Sequence, residues 1–124
     1  MMAVDTSSLA AYFLGEEGLD VETLDHALDN GGVFLPCVCL SELISSPRLP
    51  EHLYSILHAM PVLYPTDQDF WHRVGDCRRY LMQQGKKGRL ADTMIAVLCM
   101  DYRIPLLTRD RDFRHFLDLG LVLA

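Results

Sequence analysis

The chain has 124 residues, half of them hydrophobic and 23% charged, with eight glycines and six prolines. That profile reads as one globular domain over residues 1–124 and excludes a disordered or fibrous chain. No apolar run nears the roughly 20 residues that span a bilayer, and the opening MMAVDTSSLAAYF lacks the basic region of a secretory signal. The expected compartment is therefore the cytoplasm, with no membrane partner.

The net charge of −6 is unevenly spread. Residues 1–72 hold one base, Arg48, against eleven acids, and residues 73–124 hold ten bases against six acids. An acidic protein still binds nucleic acid where its bases share a surface. Otherwise they are solvated helix faces.

In chain order, the apolar run Met1–Val4 ends at Asp5, and TSSLAAYFL follows with Leu9, Tyr12 and Phe13 at helical spacing. Gly15 and Gly18 mark a break. Val21 to Leu28 repeats apolar residues with helical period and is stopped by Gly31 and Gly32. VFLPCV reads as a buried strand, leading into the short helix LSELIS, which carries Glu42 and ends before Pro47. A helix over Glu51–Ala59 and a short strand around Val62–Tyr64 come next. Thr66 and Asp69 resemble a capping box for the long amphipathic helix FWHRVGDCRRYLMQQ, which stops at Gly85. After the polar loop GKKGR, Leu90 to Tyr102 is the most apolar helix, expected to be buried on more than one side. IPLLT reads as a strand, DRDFRHFLDLG as a short amphipathic helix, and LVLA as an edge strand. Strands alternating with helices predict a three-layer α/β/α domain with a central, mostly parallel sheet.

The cysteines suit small buried thiols in a reducing compartment. Cys37 and Cys39 read as a C-x-C on a strand exit, and Cys77 and Cys99 fall in helical patterns. There is no C-x-x-C, and the five histidines lack zinc-ligand spacing.

Four acids stand at the edges of apolar segments: Asp5, Glu42, Asp92 and Asp110. In an open α/β sheet the ligand crevice lies outside the carboxyl ends of the strands, so these side chains are expected to converge. Two carboxylates about 5 Å apart repel by roughly 3 kcal/mol at an effective dielectric near 20. A cluster of them therefore takes up protons or cations. Oxygen ligands of this kind suit Mg²⁺, with Mn²⁺ as an alternative, and metal-assisted phosphoryl chemistry. Each acid also has an ordinary reading. Asp5 caps a helix, as Ser7 or Ser8 could; Asp92 complements a helix dipole; Asp110 and Asp112 form a cap pair.

Four blocks, V-D-T-S-S-L, L-S-E-L-I-S, R-L-A-D-T-M-I-A and L-L-T-R-D-R-D-F, resemble in order the successive motifs of PIN-domain ribonucleases, and among those the VapC toxins of type II toxin–antitoxin systems. The resemblance runs over nearly the whole chain. It implies that Asp5 and Asp92 are the principal Mg²⁺ ligands, and that Glu42 and Asp110 bind or orient metal and water. Ser7, Thr108 and Asp112 would have supporting roles. It further implies hydrolysis of single-stranded stretches of structured RNA, such as transfer or ribosomal RNA, a homodimer, and neutralisation by a VapB-like antitoxin.

Arg78, Arg79, Lys86, Lys87 and Arg89 gather around the loop before Asp92 and are candidate phosphate contacts. Phe70 and Trp71 serve either the core or base stacking. Two other classes compete with this reading: a PIN-like binding module without turnover, and a phosphoryl-accepting domain. A dehalogenase-like phosphatase wants D-x-D after its first strand, where this chain has D-T-S; a receiver wants a lysine where it has Thr108-Arg109.

Overall fold

The computed structural model describes residues 1–124. The elements are β1 (Met2–Val4), α1 (Thr6–Phe13), α2 (Leu19–Asp29), β2 (Val33–Pro36), α3 (Cys37–Ile44), α4 (Glu51–Ala59), β3 (Val62–Leu63), α5 (Phe70–Gln83), α6 (Leu90–Tyr102), β4 (Leu106–Leu107) and a C-terminal 3₁₀ helix (Arg111–Leu119). The strands form one parallel sheet in the order β3-β2-β1-β4, the middle layer of an α/β/α sandwich. Registers are fixed by Met2 opposite Val33, Ala3 opposite Leu106 and Leu35 opposite Val62. The chain winds outward from β1 through β2 to β3, then returns to place β4 on the other side of β1. That reversal puts the topological switch point between β1 and β4, and open α/β sheets bind ligands outside the carboxyl ends of the strands at such a point.

Strand residues Ala3, Val4, Leu35 and Leu106 are fully buried, with Leu9, Leu24, Leu57, Phe113 and Phe116 packed around them. Full burial of each larger side chain contributes about 1.5–3 kcal/mol. A second cluster, Phe70 and Val74 against Val97 and Leu98, fastens α5 to the outer side of α6. As α6 is thus sandwiched, Ile95 through Cys99 are all buried. Phe70 is core, whereas Trp71 beside it is 53% exposed.

Local chemistry moved several expected boundaries. VFLPCV is not strand throughout. Pro36 closes β2 and caps α3 with an extended backbone (φ −57°, ψ 139°), so Cys37 and Cys39 lie in a helix rather than on a strand exit. Helix α2 starts earlier, at Leu19, with Asp20 and Glu22 in its first turn, where the helix dipole favours acids. Asp69 precedes α5 without a side-chain cap bond, so no Thr66–Asp69 box forms, and Asp67 Oδ1 accepts from Phe70 N at 2.9 Å in its place. IPLLT pairs only through Leu106–Leu107, and LVLA contributes a single bridge, Leu123 to Leu106, instead of a full strand. The last helix is 3₁₀, with Phe113 and Phe116, three residues apart, both buried against the core. No helix is long and apolar enough to cross a membrane.

Candidate metal centre

The carboxyl end of β1 delivers Asp5 into the crevice, buried to 4% exposure. It caps α1 through Oδ1, which accepts from Ser8 N at 3.3 Å and from Ser7 Oγ at 2.7 Å. Its second oxygen, Oδ2, accepts from Thr108 Oγ1 at 2.8 Å, across the switch point from the end of β4. Thr108 Oγ1 in turn accepts from Asp110 N at 3.0 Å, and Asp110 Oδ1 accepts from Asp112 N at 2.9 Å. One hydrogen-bonded chain thus links Asp5, Thr108, Asp110 and Asp112. The capping roles read from the sequence are real, and the same side chains line the crevice.

Asp92 enters from the first turn of α6. Its neighbour Thr93 is fully buried and donates to Arg89 O at 2.7 Å, anchoring that turn. Carboxylate oxygens of Asp92, Asp110 and Asp112 lie within 4.8 Å of one another. Burial pushes the Asp92 carboxyl above the ordinary aspartate range, Asp110 pushes it further, and Arg89 partly opposes this. Asp5 is also raised, first by burial; its Ser7, Thr108 and Ser8 bonds hold it down and the Asp110 charge adds to the rise.

Glu42 stands apart from that trio. It is exposed on α3, where its Oε1 accepts from Thr6 Oγ1 at 3.0 Å. It still belongs to the same end of the molecule, because its partner Thr6 directly follows Asp5, and the buried Cys39 thiol lies one turn earlier on α3. Burial raises that thiol, and likewise pushes Cys99 up to about 12, so both remain protonated.

Of the basic residues, Lys87 Nζ and Arg89 Nη1 reach Asp112 Oδ2 at 3.9 and 4.0 Å, bringing both to the crevice edge. Arg78 is committed elsewhere: its Nε donates to Gly88 O at 2.6 Å, and Gly88 packs so tightly on α5 that a Cβ would meet Arg78 O at 3.1 Å. That contact fixes the loop carrying Lys86, Lys87 and Arg89. Arg79 is exposed on α5.

A further network lies outside every motif of the sequence. Arg109 forms a two-pronged pair with Asp20, Nε to Oδ2 and Nη2 to Oδ1, both at 2.8 Å, and Asp20 Oδ2 also accepts from Ser8 Oγ at 2.9 Å. The Arg109 guanidinium holds the Asp20 carboxyl down to about 2. Only the fold brings positions 20 and 109 together.

The donor set suits a hard divalent cation. It consists of carboxylate oxygens without histidine or thiolate, two of its acids are desolvated, and the nearby cations pair only with Asp112.

The fold is shared with solved structures of low sequence identity. A chain of VapBC-1 from nontypeable Haemophilus influenzae superposes with a TM-score of 0.75 at 19% identity, covering 99% of this chain and 96% of that one. A chain of VapBC2 from Rickettsia felis, bound to a DNA fragment from their promoter, gives 0.76 at 18% identity, covering 99% and 96%. A chain of FitAcB from Neisseria gonorrhoeae gives 0.71 at 18% identity, covering 100% and 97%. No curated protein sequence matches the chain. The family model described as PIN domain matches residues 2–117, nearly the whole chain and every acid discussed above, so this protein belongs to the PIN domain family.

Proposed function

We propose that this protein is a metal-dependent endoribonuclease, the toxin of a type II toxin–antitoxin pair, that hydrolyses RNA phosphodiester bonds with Mg²⁺, or Mn²⁺ in its place. The observation that carries this reading is the convergence of Asp92, Asp110 and Asp112 within 4.8 Å, with Asp5 joined to them through Thr108, at the switch point of a PIN fold. The toxin assignment is supported by the likeness to chains of VapBC complexes, and it brings with it a VapB-like antitoxin as partner and a homodimer.

Asp5, Asp92 and Asp110 would hold the metal. A bound divalent ion supplies activation of the attacking water and charge neutralisation at the phosphate. The rest is the work of the chain's own groups. Ser7 and Thr108 fix the two oxygens of Asp5, so that its carboxylate cannot rotate. Asp110 is set by its bonds to Thr108 and Asp112. Glu42, steadied by Thr6, stands on the rim to orient water. Lys86, Lys87 and Arg89 draw the RNA backbone to the crevice, contacts that position a strand without reading its sequence. Arg78 contributes by holding their loop, and Arg79 extends the basic surface along α5.

The test is cleavage of total RNA by the purified chain with Mg²⁺, compared with EDTA and with Asp5→Asn and Asp92→Asn. The proposal expects cleavage only by the parent and only with metal. Equal cleavage by the variants would refute the site, and its absence from a metal-loaded parent would leave a binding module.

A further inference from the structure

Arg109 stands between two residues of the proposed centre, Thr108 and Asp110, yet its side chain turns away from them. The guanidinium is taken up by Asp20 on both prongs, with Glu16 Oε2 at 3.9 Å and Glu17 O at 3.4 Å beyond it. Its charge is therefore spent on the start of α2 and is not available to a phosphate or to the acid cluster. Its backbone N–H, meanwhile, donates to Ser7 Oγ at 3.2 Å, the same hydroxyl that donates to Asp5. The next residue of α1, Ser8, donates its hydroxyl to Asp20. Adjacent serines thus tie one end of the network to Asp5 and the other to the ion pair.

Asp20 is 15% exposed and accepts from three side-chain groups, one of them Ser8 Oγ and two of them Arg109 nitrogens. The loop is moulded around it. Gly18 has φ +153°, and a Cβ there would lie 2.5 Å from Asp20 Oδ1 and 2.9 Å from Arg109 Nη2. A planar fork meeting a carboxylate in two parallel bonds fixes orientation as well as distance.

From this geometry we infer that Arg109 and Asp20 are a positioning pair for the metal centre. They clamp the β4 exit to the starts of α1 and α2, so that Thr108 stays within reach of Asp5 and Asp110 keeps its place beside Asp92. The inference rests on the metal-dependent reading above. Neither residue touches metal or substrate in this scheme. Their effect passes through Ser7, Ser8 and Thr108, one bond further out than the groups whose loss costs metal affinity about 10–100-fold, so the lower end of that range applies.

The experiment is titration calorimetry of the full chain with Mn²⁺ alone, beside melting temperatures, for Arg109→Ala, Asp20→Asn, the double variant and Arg109→Lys. A control is Arg73→Ala, which removes a guanidinium from Asp67, Asp69 and Asp101. Asp101 lies nine residues, or about 13 Å, along α6 from Asp92. The pair predicts roughly 10-fold weaker Mn²⁺ binding in each single variant. The double variant should be no weaker than the worse single, since both break one interaction. Arg109→Lys keeps the charge but loses the fork and should fall between. Arg73→Ala should lower the melting temperature and leave Mn²⁺ affinity unchanged. If Arg109→Ala does not fold, Arg109→Lys and Asp20→Asn decide. Parental affinity in both, or equal weakening by Arg73→Ala, would overturn the inference. Binding that is lost in Asp92→Asn but kept in the pair variants would overturn it alone. A parent that takes up no Mn²⁺ would remove the metal reading and this inference together.

Discussion

Replacing Asp5 by asparagine separates a buried carboxylate's structural role from its ligand role, because asparagine caps a helix as well as aspartate. Without metal, the parent carries a buried charge whose folded pKa is raised. The native state therefore binds more protons than the unfolded one, and stability is lost as pH rises through the folded pKa. Removing the charge relieves the desolvation cost of burial, the largest cause of that rise, together with the smaller repulsion from Asp110. It also weakens the bonds from Ser7 and Ser8 to the remaining oxygen by about 0.7 kcal/mol each, while the amide nitrogen in place of Oδ2 donates to Thr108 Oγ1, whose hydroxyl turns to Ser7 Oγ. Since the raised carboxyl means that burial outweighs its bonds, the balance is a gain of about 1 kcal/mol, the size of one net hydrogen bond. With about 2.1 cal/mol/K per residue over 124 residues, the unfolding entropy is near 0.26 kcal/mol/K, so the variant should melt about 4 °C higher in EDTA at pH 7. That advantage should shrink towards pH 4. Mn²⁺ at a hundred times its Kd stabilises the parent by about 2.7 kcal/mol, or roughly 10 °C, whereas the variant should move by under about 2 °C. Thermal melts of both proteins, with EDTA and with Mn²⁺, give all four values. A variant that melts lower than the parent in EDTA and still rises about 10 °C with Mn²⁺ would refute the reasoning.

Acid should expose the Asp20–Arg109 pair differently. A carboxyl held to about 2 contributes stability that is complete above about pH 4 and lost as pH falls through 2, so Asp20→Asn should flatten the melting temperature between pH 4 and 2; unchanged slopes would count against the pair. Replacing Lys87 and Arg89 together by alanine should lower the log–log salt slope of RNA binding by about two units, one per phosphate contact, which filter binding across a salt series would read. The same variant should bind Mn²⁺ about two- to threefold more tightly, since Asp112 loses both nearby cations. For the thiols, a disulfide reagent at pH 8 should titrate half-buried Cys37 and Cys77 in the folded protein and reach buried Cys39 and Cys99 only in urea. A single fast phase for all four would contradict their burial.

Much of this molecule was legible in the amino-acid order alone. The alternation of apolar runs with helical periods dictated a parallel α/β/α domain, and the four motif blocks pointed to the PIN family and to Asp5, Asp92 and Asp110 at strand exits or a helix start. Those features are local: periodicity, a proline or glycine stop, an acid after an apolar run. Where local rules competed, the reading slipped. Pro36 turned a strand exit into the start of α3, and the edge strand read in LVLA shrank to a single bridge at Leu123. Only the tertiary structure decided which acids share oxygens within 4.8 Å, that Asp112 joins them while Glu42 stands on the rim, and that Lys87 and Arg89 face the crevice as Arg78 braces their loop. It alone brought Asp20 to Arg109, because a contact between residues 89 positions apart arises from the return of β4 alongside β1, and no spacing rule along the chain encodes that return.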